Sequence, residues 1–368
     1  MRTVAAFTDT YLPTVNGVTY TVRTWREFWH RRAGNMPVVY PASERGTYSP
    51  EIDEYPVSSV PFPFYEGFRV GTPVIPDNLF TVQPDIVHTH TPFPLGLAAV
   101  RFARKRDLPL IASYHTPSRE YAAYISNRWD SLISRFAELY ERWFFDLVDA
   151  IIVPTKLAKS LLPPTDSPIF VVSNGVNTEL FSPASETACR RFKDQYGIPD
   201  GPIVGYTGRH GYEKQLIDIL SATAELDVTV VFAGDGPARP ELERRSVARD
   251  DVYFLGYLPR EELPTFYSML NVFVLPSPVE SQGLVALEAM ACGTPVVGPK
   301  AGALIETIAH GETGYQYPVG DICAFGNAIQ RSLEHSRRLS QNALSQRDTF
   351  DVTRSIDALE SVYDEINT

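Results

Sequence analysis

Short apolar runs alternate with longer stretches of helical spacing along most of the chain. TVAAFTD, PVVYPA, DIVHTH, LPLIASYHT, DAIIVPT and IFVVSNGV read as strands. Between them VTYTVRTWREFWHR, LGLAAVRFARKRD, the stretch 118–148 and the short segment 156–162 carry helical spacing. Strands alternating with helices predict a parallel sheet covered on both faces. A second series then begins. PIVGYTGR, VTVVFAGDG, VYFLGYL, NVFVLPS and TPVVGPK are strand-like, and helical stretches at 214–225, 239–248, 261–270 and 284–292 separate them. The intervening NTELFSPASETACRRFKDQYGIPDG is polar and fits a linker with one helix. The last thirty or so residues have helical spacing and no strand.

Two doubly wound α/β domains are therefore expected, one over 1–180 and one over 181–349, with a cleft where they meet. At 368 residues the chain is long for one core, which agrees. In open parallel sheets ligands gather at the carboxyl ends of the strands. The chemistry should lie in FTDTYLPTVNGV, HTHTPFP, SYHTPSRE, TGRHGYEK, AGDGP, LGYLPREEL and SPVESQG.

Composition narrows the classes. Hydrophobic residues make up 44% and charged residues 21%, as in an ordinary globular protein. No apolar run reaches the roughly 18 residues of a membrane span. The first residues, MRTVAAFTDTYLP, lack the long apolar segment of a signal peptide and soon meet Asp9 and Pro13, so a cytoplasmic location is expected. The formal charge of −11 argues against nucleic acid as a partner. Cys189, Cys292 and Cys323 have no paired spacing, which argues for free thiols and against a zinc site.

Several strand-end residues suit the handling of an anion or a sugar. Asn16-Gly17-Val18 precedes a helix, where glycine allows close backbone approach and free amides favour an anion; a plain turn reads equally well. Arg209 and Lys214 flank a glycine-rich bend, and two fixed cations would stabilise a departing diphosphate without a metal. AGDGP is a tight turn without dinucleotide-fold spacing. His88, His90 and His115 stand at strand ends, and His115 is favoured over His90 as a site residue. Glu280 lies just before a helix and Glu288 in its second turn, with the amides of Gly283 and Leu284 free at the helix start. The flanking LVALEAMACGTPVV is too apolar for both carboxylates to serve only as solvent-facing polarity.

PSPVESQGLVALEAMACGTPVVGPKAGALIE closely resembles the signature of retaining glycosyltransferases of family four, with Glu280 to Glu288 as its paired glutamates. FTDTYLPTVNGV, PDIVHTHTPFPLGLAAVRFARKRDLPLIASYHT, VSNGVNTELF, YTGRHGYEKQ and FAGDGP fit as well, so the resemblance spans nearly the whole chain. It implies a GT-B fold, with residues 350–368 crossing back as a helix onto the first domain. It implies that Gly17 approaches the donor diphosphate and that Arg209 and Lys214 bind it. Glu280 and the Gly283 and Leu284 amides would hold the donor sugar, Glu288 the ribose, and His115 the sugar near the reacting centre. No metal and no cofactor beyond the nucleotide diphosphate sugar is implied, and the anomeric configuration would be retained by same-face attack. The chain departs from the pattern at Gln282, where phenylalanine is usual, at GRHGYEKQL, and in lacking a tryptophan near Phe350.

ESQG, HTPFPLG and YHTPSREYAAYI are most similar to the branch of diacylglycerol glucosyltransferases and phosphatidylinositol mannosyltransferases. The first domain would then bind the acceptor, a lipid at the inner face of the cell membrane. The aromatics of VSSVPFPFYEGFRVGTP and of SREYAAYISNRWDSLISRFAELYERWFF suit either peripheral membrane contact or packing. Transfer to a soluble sugar or glycan is the alternative, and a non-catalytic nucleotide-sugar-binding module is a third reading.

Overall fold

The computed structural model describes residues 2–43, 47–62, 69–115 and 130–367. The middle of VSSVPFPFYEGFRVGTP and most of SREYAAYISNRWDS lie outside the described residues. The chain forms two compact units, one from Met1–Asn174 with Val352–Thr368 and one from Gly175–Asp351.

The first unit runs β1 (Val4–Phe7), α1 (Gly17–Arg31), β2 (Val38–Pro41), β3 (Glu54–Val57), β4 (Ser59–Pro61), β5 (Arg69–Gly71), β6 (Ile86–Thr89), α2 (Pro94–Arg106), β7 (Leu110–Ser113), α3 (Asp130–Phe145), β8 (Ala150–Val153), α4 (Lys156–Leu161) and β9 (Ile169–Val171). Among the described residues its main sheet has seven parallel strands in the order β3-β2-β1-β6-β7-β8-β9. Alternate residues of β1 serve opposite faces. Val4 and Ala6 pack with Trp25 and Trp29 of α1, whereas Ala5 and Phe7 pack with Ala99 and Phe102 of α2. Burial on both faces explains the uninterrupted apolar strands.

Pattern reading missed β3 and the β4–β5 hairpin. β3 is an edge strand containing Glu54 and Pro56, and proline is tolerated only where the ladder ends. Glu54 is nonetheless buried, accepting from Tyr11 and Tyr48 hydroxyls at 2.9 Å each and facing Arg26 at 3.3 Å. That network ties β3 to α1 and to the loop after β1.

The second unit runs α5 (Glu186–Tyr196), β10 (Ile203–Thr207), α6 (Ile217–Ala222), β11 (Thr229–Ala233), α7 (Arg239–Arg245), β12 (Val252–Gly256), α8 (Leu263–Met269), β13 (Val272–Val274), α9 (Leu284–Ala291), β14 (Val296–Pro299), α10 (Leu304–Thr307), β15 (Gly314–Tyr317), α11 (Ile322–Glu334) and α12 (Ser336–Ser345). Its six parallel strands, among the described residues, lie in the order β12-β11-β10-β13-β14-β15. The pattern had foreseen five. The sixth, GYQY, is a short edge strand interrupted by Gln316, so its alternation is weak. The helix expected over 214–225 is shorter. Tyr212–Lys214 forms a 3-10 turn, Gln215 adopts a left-handed conformation with φ 51°, and the helix proper begins at Ile217.

In both units the strand order reverses beside the first strand, between β1 and β6 and between β10 and β13. The loops leaving these pairs turn to opposite sides and open a crevice at the carboxyl ends. This doubly wound pairing of two nucleotide-fold units is the GT-B fold. A final helix, α13 (Val352–Ile366), returns to the first unit, where Val352, Ile356, Leu359, Val362 and Tyr363 join the core beneath α1. The chain passes between units at Asn174/Gly175, six residues before the expected boundary. The stretch after Gly175 belongs to the second unit because Val176 pairs with Phe350 and Arg347 donates to the Thr178 carbonyl.

Leu359 is fully buried, so Leu359→Ala should cost about 2–5 kcal/mol. Urea unfolding checks this; a change below about 0.5 kcal/mol would exclude α13 from the first core.

Candidate active site

The crevice of the second unit brings Lys214 and Glu280 together. Lys214 ends the tight turn after β10 and Glu280 lies in the loop after β13, so each comes from one side of the strand-order reversal. Lys214 Nζ donates to Glu280 Oε1 at 2.7 Å, with both side chains mostly buried. Arg209, in the same loop as Lys214, pairs with Glu213. Glu280 is anchored through its backbone, its carbonyl accepting from Ala303 N at 2.9 Å. Gly302 (φ 52°) is needed beside it, since a Cβ there would stand 2.8 Å from the Pro278 oxygen.

Helix α9 starts immediately beyond. Its N-cap is Gly283 (φ 75°), and no side chain caps it. The amides at Gly283 and Leu284 therefore open the helix without a local side-chain acceptor. Gly234 holds the other side of the loop. A Cβ there would lie 2.1 Å from the Gly208 oxygen, and His210 N donates to Asp235 O at 2.8 Å. AGDGP is thus the support on which the Arg209 loop rests.

Glu288 makes its contacts elsewhere. It is buried, accepting from Tyr267 Oη at 2.9 Å and facing Arg260 at 3.3 Å. Burial raises its pKa, and Arg260 and Tyr267 pull it back. Both oxygens are engaged, which pattern reading did not foresee because Arg260 and Tyr267 come from the turn before α8 and from α8 itself.

In the first unit, Asn16 caps α1 by accepting from Thr19 N at 2.9 Å and donates to Thr10 Oγ1 at 2.7 Å. Gly17 is the first residue of that helix. The same loop between β1 and α1 carries Asp9, which pattern reading quoted without singling out. Asp9 lies two residues beyond β1, is buried, and accepts from Thr91 Oγ1 at 2.6 Å and Leu95 N at 3.2 Å. Burial pushes its carboxyl up to about 6 against hydrogen bonds from Thr91 and from the Leu95 and Gly96 amides. An acidic residue two positions after an apolar strand was the available signal.

His88, His90 and His115 form one buried stack. His90 lies 4.3 Å from His88 and 5.4 Å from His115 between ring centroids, and Trp25 packs against all three. Burial pushes His88 down to about 3 and His115 to about 4, and His90 is lowered as well, so the stack is neutral. Among the described residues no group of histidines, cysteines and carboxylates could hold a metal ion.

Residues 15–180 match the family described as Glycosyltransferase Family 4, and residues 190–347 match Glycosyl transferases group 1. The chain is 30% identical to a GDP-mannose-dependent alpha-mannosyltransferase of Corynebacterium glutamicum, over 86% of this chain and 77% of that protein. It is 28% identical to the alpha-monoglucosyldiacylglycerol synthase of Streptococcus pneumoniae, over 80% of this chain and 70% of that one. Against the sulfoquinovosyl transferase SQD2 of Arabidopsis thaliana it is 30% identical over 72% of its length and spans about half (53%) of that relative. Among solved structures, sucrose-phosphate synthase from Thermosynechococcus elongatus superposes with a TM-score of 0.81 at 20% identity, over 100% of this chain and 99% of that one. Anabaena HepE in complex with UDP superposes at 0.77 with 18% identity, over 99% and 100%.

His210 is buried between Tyr206 and Phe232, and neither ring nitrogen makes a well-formed hydrogen bond among the described residues. Burial lowers it to about 4, and the nearby Ala233 carbonyl only partly offsets this. Below pH 6.5 the unfolded chain takes up this proton first, so stability falls as pH drops from 6.5 towards 4. His210→Leu should therefore stabilise by about 1 kcal/mol at pH 7, with the gain widening down to pH 4. Thermal melts of both proteins across that range check it, and a gain that shrinks on acidification contradicts it.

Proposed function

The chain belongs to glycosyltransferase family four, and on that premise we propose that it is a retaining hexosyltransferase using a nucleotide diphosphate sugar and a lipid acceptor. The second unit binds the donor and the first binds the acceptor. The observation that carries the reading is the Lys214–Glu280 contact in the crevice of the second unit, beside Arg209 and the open start of α9.

The chemistry follows from charge. As the bond from the anomeric carbon to the phosphate oxygen breaks, negative charge grows on the diphosphate and positive charge on the sugar. Lys214, Arg209 and the helix-start amides at Gly283 and Leu284 stabilise the first. Glu280 accepts hydrogen bonds from sugar hydroxyls and keeps the ring in place. Until a donor arrives, Lys214 and Glu280 hold each other, which keeps both aimed at the crevice. On binding, Lys214 exchanges its carboxylate for phosphate, and Glu280 exchanges its ammonium for hydroxyls. The acceptor hydroxyl attacks from the face the phosphate leaves, and its proton passes to the departing phosphate oxygen. Gly17 and His115 keep the roles that the family resemblance implies, contacts to the diphosphate and to the sugar. Glu288 serves the ribose by giving up one of its present contacts, to Tyr267 or to Arg260. No metal takes part.

A lipid acceptor is supported by the relative named alpha-monoglucosyldiacylglycerol synthase. It is supported also by α3, where Phe136, Leu139 and Trp143 are 64%, 62% and 50% exposed at helical spacing. Among the described residues no helix is long and apolar enough to cross a membrane. An apolar stripe of this kind suits a helix lying in the headgroup boundary, so we place the enzyme as a peripheral protein on the cytoplasmic face.

Lys214→Ala and Glu280→Ala should each lower kcat by about 10²–10³, and near wild-type turnover in both would remove the assignment. Activity should persist in EDTA; a strict divalent requirement overturns the metal-free account. The double variant Phe136→Ser, Trp143→Ser should lose co-sedimentation with anionic phospholipid vesicles. Failure of the wild-type chain to bind any vesicle would favour a soluble sugar or glycan as acceptor.

A further inference from the structure

The histidine stack has a direction. His88 is pinned at both nitrogens, Nδ1 to Tyr363 Oη at 2.7 Å and Nε2 to Ser113 Oγ at 2.8 Å. His88 lies on β6 and Ser113 ends β7 on the same face of the sheet, and His90 and His115 follow two residues after each, where their side chains meet. His90 lies nearly parallel to the anchored His88, with 23° between ring planes, and its Nδ1 meets His115 Nε2 at 3.1 Å. Its other nitrogen, Nε2, is buried and has no hydrogen-bond partner among the described residues.

We infer that His90 is the positioning residue for His115: it donates its Nδ1–H to His115 Nε2 and so fixes His115 with its own proton on Nδ1. A single proton lies between two neutral rings. Were it carried by His115, the proton of His90 would sit on Nε2, creating a buried N–H with no acceptor. Orphaned buried N–H groups are rare in folded proteins. With the proton on His90 Nδ1, the unpartnered position is a bare ring nitrogen instead. His115 then has a defined role. Its Nε2 lone pair is taken, so it is no general base, and its Nδ1–H is the donor it can offer to a sugar or phosphate oxygen. The clamp extends through His88 to Tyr363 on α13, so the last helix of the chain helps set the orientation of this ring. The inference rests on the proposed contact of His115 with the donor sugar, but the hydrogen bond itself can be read without activity.

Long-range proton–nitrogen spectra of the full chain with ¹⁵N-histidine, assigned with His90 and His115 variants, should show His115 protonated on Nδ1 and bare on Nε2. The reverse tautomer overturns the inference. In kinetics His90→Leu should lower kcat by about 10–100-fold with KM within about two-fold. His90→Asn places an amide N–H near the Nδ1 position and should restore most of the loss, whereas His90→Gln, whose amide lies near the Nε2 position, should not. This comparison decides the matter even if His90→Leu does not fold. Equal activity of His90→Asn and His90→Gln overturns positioning, as does wild-type turnover in His90→Leu when His115→Ala is inactive. Full turnover in His115→Ala would instead defeat the donor-sugar role of His115 and leave the tautomer result standing.

Discussion

The reversal of strand order beside the first strand of each sheet is the constraint on which the site depends. Parallel strands need crossovers, and crossovers that leave β10 and β13 to opposite sides cannot cover the gap between those strands at their carboxyl ends. Whatever residues the two loops carry are then brought together across that gap. In the second unit they are Lys214 and Glu280, 66 residues apart in sequence and 2.7 Å apart in space. In the first unit the same geometry at β1 and β6 joins Asp9 to Thr91. The two contacts are equivalent in topology and differ in chemistry, an ion pair in the second unit and a carboxyl–hydroxyl hydrogen bond in the first.

Electrostatics in the second unit are arranged in pairs. Lys214 with Glu280 and Arg209 with Glu213 are partly buried contacts made by loops. Glu288 with Arg260 and Tyr267 is buried between helices, with the Arg260 guanidinium over the Phe181 ring at 4.9 Å. Removing one member of a buried pair strands the other charge, a cost of several kcal/mol. The two glutamates of one motif thus meet different physical conditions. Glu280 pairs with a lysine between two partly exposed loops, whereas Glu288 is part of what holds α9 against α8.

Neutral imidazoles serve a related end in the first unit. Burial beneath Trp25 keeps His88, His90 and His115 uncharged, so the stack has no internal repulsion and can be ordered by hydrogen bonds alone. His210 shows the opposite outcome in the second unit, a buried ring whose nitrogens have no well-formed hydrogen bond among the described residues, in a loop otherwise fastened by backbone hydrogen bonds and glycine contacts.

Much of this was legible in the chain by itself. Two series of apolar strands separated by helical spacing determined two doubly wound units, because a strand buried on both faces must be apolar throughout. The cations of TGRHGYEK and Glu280 of SPVESQG were legible as strand-end residues, and the structure brings Lys214 and Glu280 of those loops into contact. Edge strands such as Glu54–Val57 and Gly314–Tyr317 escaped, because a strand with one neighbour tolerates proline and polar residues that erase the alternation. Only the tertiary structure decided which partners meet. That Glu280 pairs with Lys214 while Glu288 pairs with Arg260, and that His90 rather than a carboxylate holds His115, depends on strand order and helix packing. Those bring together residues with no periodic relation in the chain, and local pattern carries no information about contacts made across such distances.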